Sequence, residues 1–253
     1  MILDAFRLTG KVAIVTGCDT GLGQGMAVAL AQAGCDIVSV NRKIPHDTAA
    51  KVEALGRRFF TIQADLSQQE VIAGVVAQAV EKFGHIDILV NNAGTIRRED
   101  ALNFSEKDWD EVMNLNLKSL FFLSQAVARQ FIAQGQGGKI INIASMLSFQ
   151  GGIRVPSYTA SKSGVLGITR LLANEWAQHQ INVNAIAPGY MATNNTQQLR
   201  EDAGRNQEIV DRIPAGRWGT PEDLQGPVVF LASPASDYIN GYTLAVDGGW
   251  LAR

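Results

Sequence analysis

Short runs of aliphatic and β-branched residues recur along this chain, and most are followed by a stretch of helix length. The runs fall at 12–16, 36–40, 59–63, 86–91, 139–143, 182–187 and 243–246, with helical patterns over 21–33, 68–83, 105–134 and 157–179. Strands that are apolar on both faces must be covered on both faces, which demands parallel strands between two helix layers. Right-handed crossovers then wind the helices to either side. The expectation is α/β: one doubly wound domain over 1–253 with a seven-stranded parallel sheet. A chain of 253 residues with 46% hydrophobic residues is large enough to fill such a core. One stretch departs from the pattern. Residues 188–213 are polar and rich in Asn and Gln, and 189–213 is expected to form a substrate lid.

Composition removes several classes of function. A net charge of −2 gives no basic footprint, so nucleic acid is not expected as a partner. No run reaches the ~18 apolar residues of a membrane span, so no membrane partner is expected. Residues 1–11 lack a charged start followed by an apolar stretch, so no signal peptide is expected and the reading is cytoplasmic. Cys18 and Cys35 have neither zinc nor CxxC spacing and read as reduced thiols. His46, His85 and His179 are scattered among polar neighbours, and no metal is expected.

Directly after the first strand comes Thr16-Gly17-Cys18-Asp19-Thr20-Gly21-Leu22-Gly23. Glycines between a strand and a helix let backbone approach a pyrophosphate held at the helix N-terminus. The sheet is therefore expected to be Rossmann-type, with Gly17, Thr20, Gly21, Leu22 and Gly23 against a dinucleotide. The second strand ends in Asn41-Arg42, where the adenosine ribose should lie. An acid there would repel a 2′-phosphate; Asn41 repels nothing and Arg42 can pair with one, so the residues leave NAD and NADP both open. Asp65-Leu66 follows the third strand, where Asp65 either accepts from an adenine amino group or caps the next helix. Asn92-Ala93-Gly94 closes the fourth strand, where small residues let a cofactor lie on the backbone.

Ser145 follows the fifth strand, and Lys162 stands at i+4 from Tyr158 on one helix face. A lysine ammonium beside a phenol favours the anion, which suits Tyr158 to proton transfer. Ser145 is expected to hold the substrate oxygen beside the phenol.

With these motifs in place, the chain resembles the classical short-chain dehydrogenase/reductase family over nearly its whole length. The resemblance rests on TGCDTGLG (16–23), NNAG (91–94), Asn116 in NLNL, Ser145, YTASK (158–162), PGYMAT (188–193) and DGGW (247–250). It implies Asn116 as a fourth catalytic residue, ordering a water that relays protons to Lys162. It implies nicotinamide contacts from Pro188 and Gly189, with Thr193 on the carboxamide or a phosphate. It implies NAD(H), with NADP not excluded, and a homotetramer built through the helices at 105–134 and 157–179 and the 247–253 segment. Val165, Leu166, Ile168, Leu171, Leu172 and Trp176 fit no single stripe, as a helix covered on two sides requires.

Two segments speak to substrate: Thr95-Ile96-Arg97-Arg98-Glu99 and the loop from Met146 to Ser157, which carries Gln150 and Arg154. Arginine binds carboxylates through two parallel N–H donors. Arg154, helped by Gln150, is expected to anchor an acidic substrate, with Arg97 next. The same segments are similar to dehydrogenases of deoxy keto sugar acids from hexuronate and pectin breakdown. The alternatives are a gluconate 5-dehydrogenase, an NADP-dependent 3-oxoacyl-carrier-protein reductase, and a nucleotide-sensing regulator. A regulator should have lost Tyr158 or Lys162, and this chain keeps both.

Overall fold

The computed structural model describes residues 1–253. Its seven strands are β1 (Val12–Thr16), β2 (Asp36–Asn41), β3 (Phe59–Gln63), β4 (Ile88–Asn91), β5 (Gly138–Ile143), β6 (Ile181–Pro188) and β7 (Thr243–Val246). They pair in parallel in the order β3-β2-β1-β4-β5-β6-β7. The helices are α1 (Gly21–Gln32), α2 (His46–Ala54), α3 (Val71–Phe83), α4 (Glu106–Met113), α5 (Ser119–Gln134), α6 (Pro156–Trp176), α7 (Gln197–Glu201), α8 (Ala203–Arg212) and α9 (Gln225–Ala232). The expected α/β doubly wound architecture is what the chain adopts.

The pleat explains why whole strands read as apolar. In β1, Ala13 and Val15 enter a cluster with Met26 of α1 and Val228 of α9. Val12 and Ile14 enter the opposite cluster, with Val75 of α3 and Leu123 and Val127 of α5. Alternate side chains thus feed two cores, and neither face of the strand can be polar. Strand order reverses between β1 and β4, which opens a crevice at the carboxyl ends of those strands.

The expected helix over 105–134 is interrupted. Ser105 starts α4 by accepting from the Asp108 N–H, and Asn114–Lys118 form a π-helical turn before α5. The turn is wide where the Asn116 amide bonds outward to Thr95 and Ser161. The helix expected from 68 begins at Val71, because Asp65 first forms a tight turn with Ser67. The 189–213 segment is not a bare loop. It holds α7 and α8, the latter started by Asp202, whose carboxylate accepts from the Arg205 N–H.

Candidate active site

A cleft of about 1500 Å³ opens at the carboxyl ends of the strands, lined by residues from the loops after β1 to β6. Gly17, Thr20, Gly21, Leu22, Gly23, Asn41, Arg42, Asp65, Leu66, Asn92, Ala93, Gly94, Ser145, Gln150, Arg154, Tyr158, Lys162, Gly189 and Thr193 all face it. Pro188, Asn116 and Arg97 do not line it. Pro188 is the buried last residue of β6, bridged to Val246. Arg97 bonds to Glu111 at 2.7 Å instead, and contacts Asp108 at 3.4 Å.

The glycine loop fits a dinucleotide by its donors and its shape. Thr20 makes no side-chain cap on α1, so the first-turn N–H groups stay free toward the cleft, and no acid stands in that turn. Gly21 sits at φ 57, in the left-handed region. A Cβ on Gly23 would lie 2.2 Å from the Gly17 carbonyl oxygen, so that backbone approach admits only glycine. Thr193 closes the other side, with its Cγ2 3.6 Å from where a Cβ of Gly21 would be.

Three asparagines do work that their motifs did not reveal. Asn41 Oδ1 accepts from the Cys18 N–H at 2.8 Å, so its acceptor holds the loop rather than standing free for a ribose. Asn92 Nδ2 donates to the carbonyls of Thr16 and Gly17, tying β4 to β1. Asn116 accepts from the Thr95 N–H at 2.8 Å and donates to the Thr95 carbonyl at 2.9 Å and to Ser161 at 3.3 Å. Each amide satisfies backbone groups that would otherwise be orphaned beside a cleft. Asp65 behaves alike: its Oδ1 accepts from the Ser67 N–H and hydroxyl, which holds its carboxyl below the usual range. It does not cap α3.

Ser145, Tyr158 and Lys162 meet on the cleft floor. Ser145 is buried just beyond β5, and its Oγ accepts from the Leu147 N–H at 3.2 Å. Lys162 is buried, donates to the Ile143 carbonyl at 2.5 Å, and lies 5.6 Å from the Tyr158 ring centre. Burial pushes the lysine down to about 8. The phenol of Tyr158 is pushed up by burial, against the pull of the Ser145 hydroxyl and the Arg98 charge. The ammonium is aimed at the Ile143 carbonyl, so burial outweighs the lowering expected from Lys162.

The expected substrate anchors have partners of their own. Arg154 faces the cleft, but its Nε lies 3.0 Å from Asp100 Oδ1 and its Nη2 4.0 Å from Glu99 Oε1. Its charge is answered within its own loop pair. Gln150 Oε1 accepts from the Trp250 indole at 3.2 Å, which fixes the C-terminal segment against the cleft. Cleft residues to which the sequence assigned no role include Arg98, Tyr190, Arg212 and Trp250. Tyr190 stacks edge-on to Trp218 and Trp250, and Arg212 lies 4.0 Å over the Trp250 ring. The doublet Arg97-Arg98 was visible, but only the backbone path shows that the second arginine turns inward.

A family model described as enoyl-(acyl carrier protein) reductase matches residues 17–251. The chain is 76% identical over 253 residues to 2-dehydro-3-deoxy-D-gluconate 5-dehydrogenase of Escherichia coli (strain K12), covering 100% of both chains. It resembles a candidate 2-deoxy-D-gluconate 3-dehydrogenase from Agrobacterium tumefaciens, crystallised with bound NADP. There the TM-score is 0.91 at 55% identity, over 99% of this chain and 100% of that one. A gluconate 5-dehydrogenase from Burkholderia cenocepacia, crystallised with NADP and tartrate, matches with a TM-score of 0.95 at 38% identity, over 100% of both.

Proposed function

Because the chain belongs to the short-chain dehydrogenase/reductase family, we propose that it is a 2-dehydro-3-deoxy-D-gluconate 5-dehydrogenase. It reversibly oxidises the carbon-5 hydroxyl of that acid to the 2,5-diketo acid, within hexuronate and pectin breakdown. The observation that carries this reading is the 76% identity over the full length of a relative of that name.

A bound nicotinamide dinucleotide supplies the hydride acceptor and donor. The chain's own residues do the rest. Free N–H groups at the start of α1 would hold the pyrophosphate. Ser145 donates to the substrate oxygen and holds it beside Tyr158, which takes the hydroxyl proton on oxidation and returns it on reduction. Lys162, fixed on the Ile143 carbonyl, keeps a positive charge under the phenol. Asn116 holds the Thr95 backbone against Ser161 and so seats α6 against the loop after β4; a water relay through this residue is consistent with its place beside α6.

The enzyme is NAD(P)-dependent, and the site accepts both NAD(H) and NADP(H). No acid ends β2, and Arg42 and Lys43 face the cleft without a carboxylate partner. The 189–213 segment acts as lid over the substrate end. A homotetramer is supported by exposed apolar side chains with nothing over them in the single chain: Trp109, Phe122, Ile132 and Leu171 on α4, α5 and α6. A cytoplasmic location agrees with two free, buried cysteines, and no helix is long and apolar enough to cross a membrane.

Absorbance at the reduced-nicotinamide band, with NADH and NADPH against a panel of keto sugar acids and a 3-oxoacyl thioester, tests the reading. The highest kcat/KM is expected with the 2,5-diketo-3-deoxy acid. A higher value for the thioester would overturn it.

A further inference from the structure

The cationic side chains that line the cleft are accounted for one by one, with two exceptions on the substrate side. Arg154 is answered by Asp100 and Glu99, and Arg205 by Glu208 at 2.7 Å. Lys162 is spent on the Ile143 carbonyl. Arg42 and Lys43 follow β2, at the adenosine end. Arg212 lies over the Trp250 ring, which takes its face and leaves its N–H donors free, so it is the first exception. Arg98 is the second. Its one partner is the Asn195 carbonyl, which accepts from Nη2 at 3.2 Å, and no carboxylate reaches it. A guanidinium offers five N–H donors, so most of this fork is free. Its neighbour Arg97 turns the other way, to Glu111 and Asp108.

We propose that Arg98 binds the substrate carboxylate, and that its bond to the Asn195 carbonyl lets the bound acid hold the 194–212 segment over the cleft. The proposal rests on the reading above, that the substrate is a sugar acid. The carboxylate of such an acid lies at the far end of its carbon chain from the carbon beside Tyr158. Arg98 fits that span: its backbone follows the NNAG turn at the cleft wall, while its head reaches the first turn of the lid. It is also close enough for Tyr158 to feel its charge. A carboxylate that takes two parallel bonds from the fork leaves Nη2 free to share with Asn195. One cation then serves both the ligand and the lid.

The test compares Arg98→Met with Arg212→Met and the wild type, on a keto sugar acid and on a neutral vicinal diketone. Arg98→Met is expected to lower kcat/KM for the acid ten- to a hundred-fold and to change the diketone by less than about threefold. Arg98→Lys, which keeps charge but loses the fork, should recover part of the loss. Hydrogen exchange supplies a second readout. In the wild type, 2-dehydro-3-deoxy-D-gluconate with NADH, a pair that cannot react, should slow exchange over 194–212; in Arg98→Met it should not. Equal losses on acid and diketone would make Arg98 structural and overturn the proposal. So would full retention of acid activity, or an acid-specific loss in Arg212→Met alone. A wild type inactive on every keto sugar acid would overturn the functional reading and the anchor with it. A wild type active on them, with an equally active Arg98→Met variant, overturns the anchor alone.

Discussion

The glycine loop and the lid face each other across one cleft and are held in opposite ways. Around the loop, polar side chains are spent on backbone. Thr16 Oγ1 accepts from the N–H groups of Asn92 and Ala93, Asn41 accepts from Cys18, and Thr48 donates to the Cys18 carbonyl. In the lid such bonds are local: Thr196 donates to the Met191 and Thr193 carbonyls and Arg200 to the Thr193 carbonyl. It joins the body through the Met191–Gly219 bridge, the Trp218–Asn206 and Arg98–Asn195 bonds, the bonds from Arg253 to the Asp211 and Arg212 carbonyls and a small apolar cluster around Ile209, with surface pairs such as Arg205–Glu208 on the outside. α7 buries no residue and α8 buries only Ile209. Few buried contacts mean a low free energy of local opening. The cofactor side is therefore prebuilt, and the substrate side is left to respond to ligand.

Between the two lies the catalytic floor, and the largest expected effect is there. Tyr158→Phe should cut kcat by about 10²–10⁴-fold. Dinucleotide affinity, measured by fluorescence titration, should stay close to wild type, because neither the loop nor the lid is touched. A variant that keeps a large share of the rate would remove Tyr158 from the chemistry.

The next experiment places one methyl group on each side of the cleft. In Gly23→Ala the new carbon would meet the Gly17 oxygen at 2.2 Å and Asn92 Nδ2 at 2.4 Å, so the loop must open. A loss of about 1–3 kcal/mol in stability is expected, with dinucleotide affinity falling at least ten-fold. In Gly204→Ala the nearest atom is Asp202 Oδ1 at 3.6 Å, and stability should stay within about 0.5 kcal/mol. Equal denaturation midpoints for the two variants would break the comparison.

Lys162 sharpens it through pH. Burial lowers the lysine from 10.5 to about 8, so below that pH the folded chain carries a buried charge at a cost. Between about 8 and 10.5 the folded chain has released a proton that the unfolded chain still binds, and stability must rise with pH. The wild type should gain about 3 kcal/mol over Lys162→Met across that window. Parallel denaturant curves at the two ends would show that no such cost is stored there.

The smallest effect belongs to the rim. Arg154→Met removes a charge that is 59% exposed and paired with Asp100, and such pairs contribute about 0–1 kcal/mol. Acid turnover should fall less than about threefold. A tenfold, acid-specific loss would return the anchor to Arg154.

Much of this protein was settled by its sequence. Strands expected at 12–16, 59–63 and 243–246 appear with those limits, and the others shift by one or two residues. The reason is physical: a doubly covered strand needs an unbroken apolar run, and that is a local property. Ser145, Tyr158 and Lys162 were legible because strand end and helix spacing fix their places within a few residues of one another. Which arginine meets the substrate was not legible. Arg97, Arg98 and Arg154 are alike as letters, and their fates differ only through partners: Glu111, the Asn195 carbonyl and Asp100. Nor could spacing show that Asn41, Asn92 and Asn116 hold backbone from neighbouring loops. A charge or an amide is defined by what stands opposite it, and in this fold that residue comes from another strand's loop, brought near only when the sheet closes.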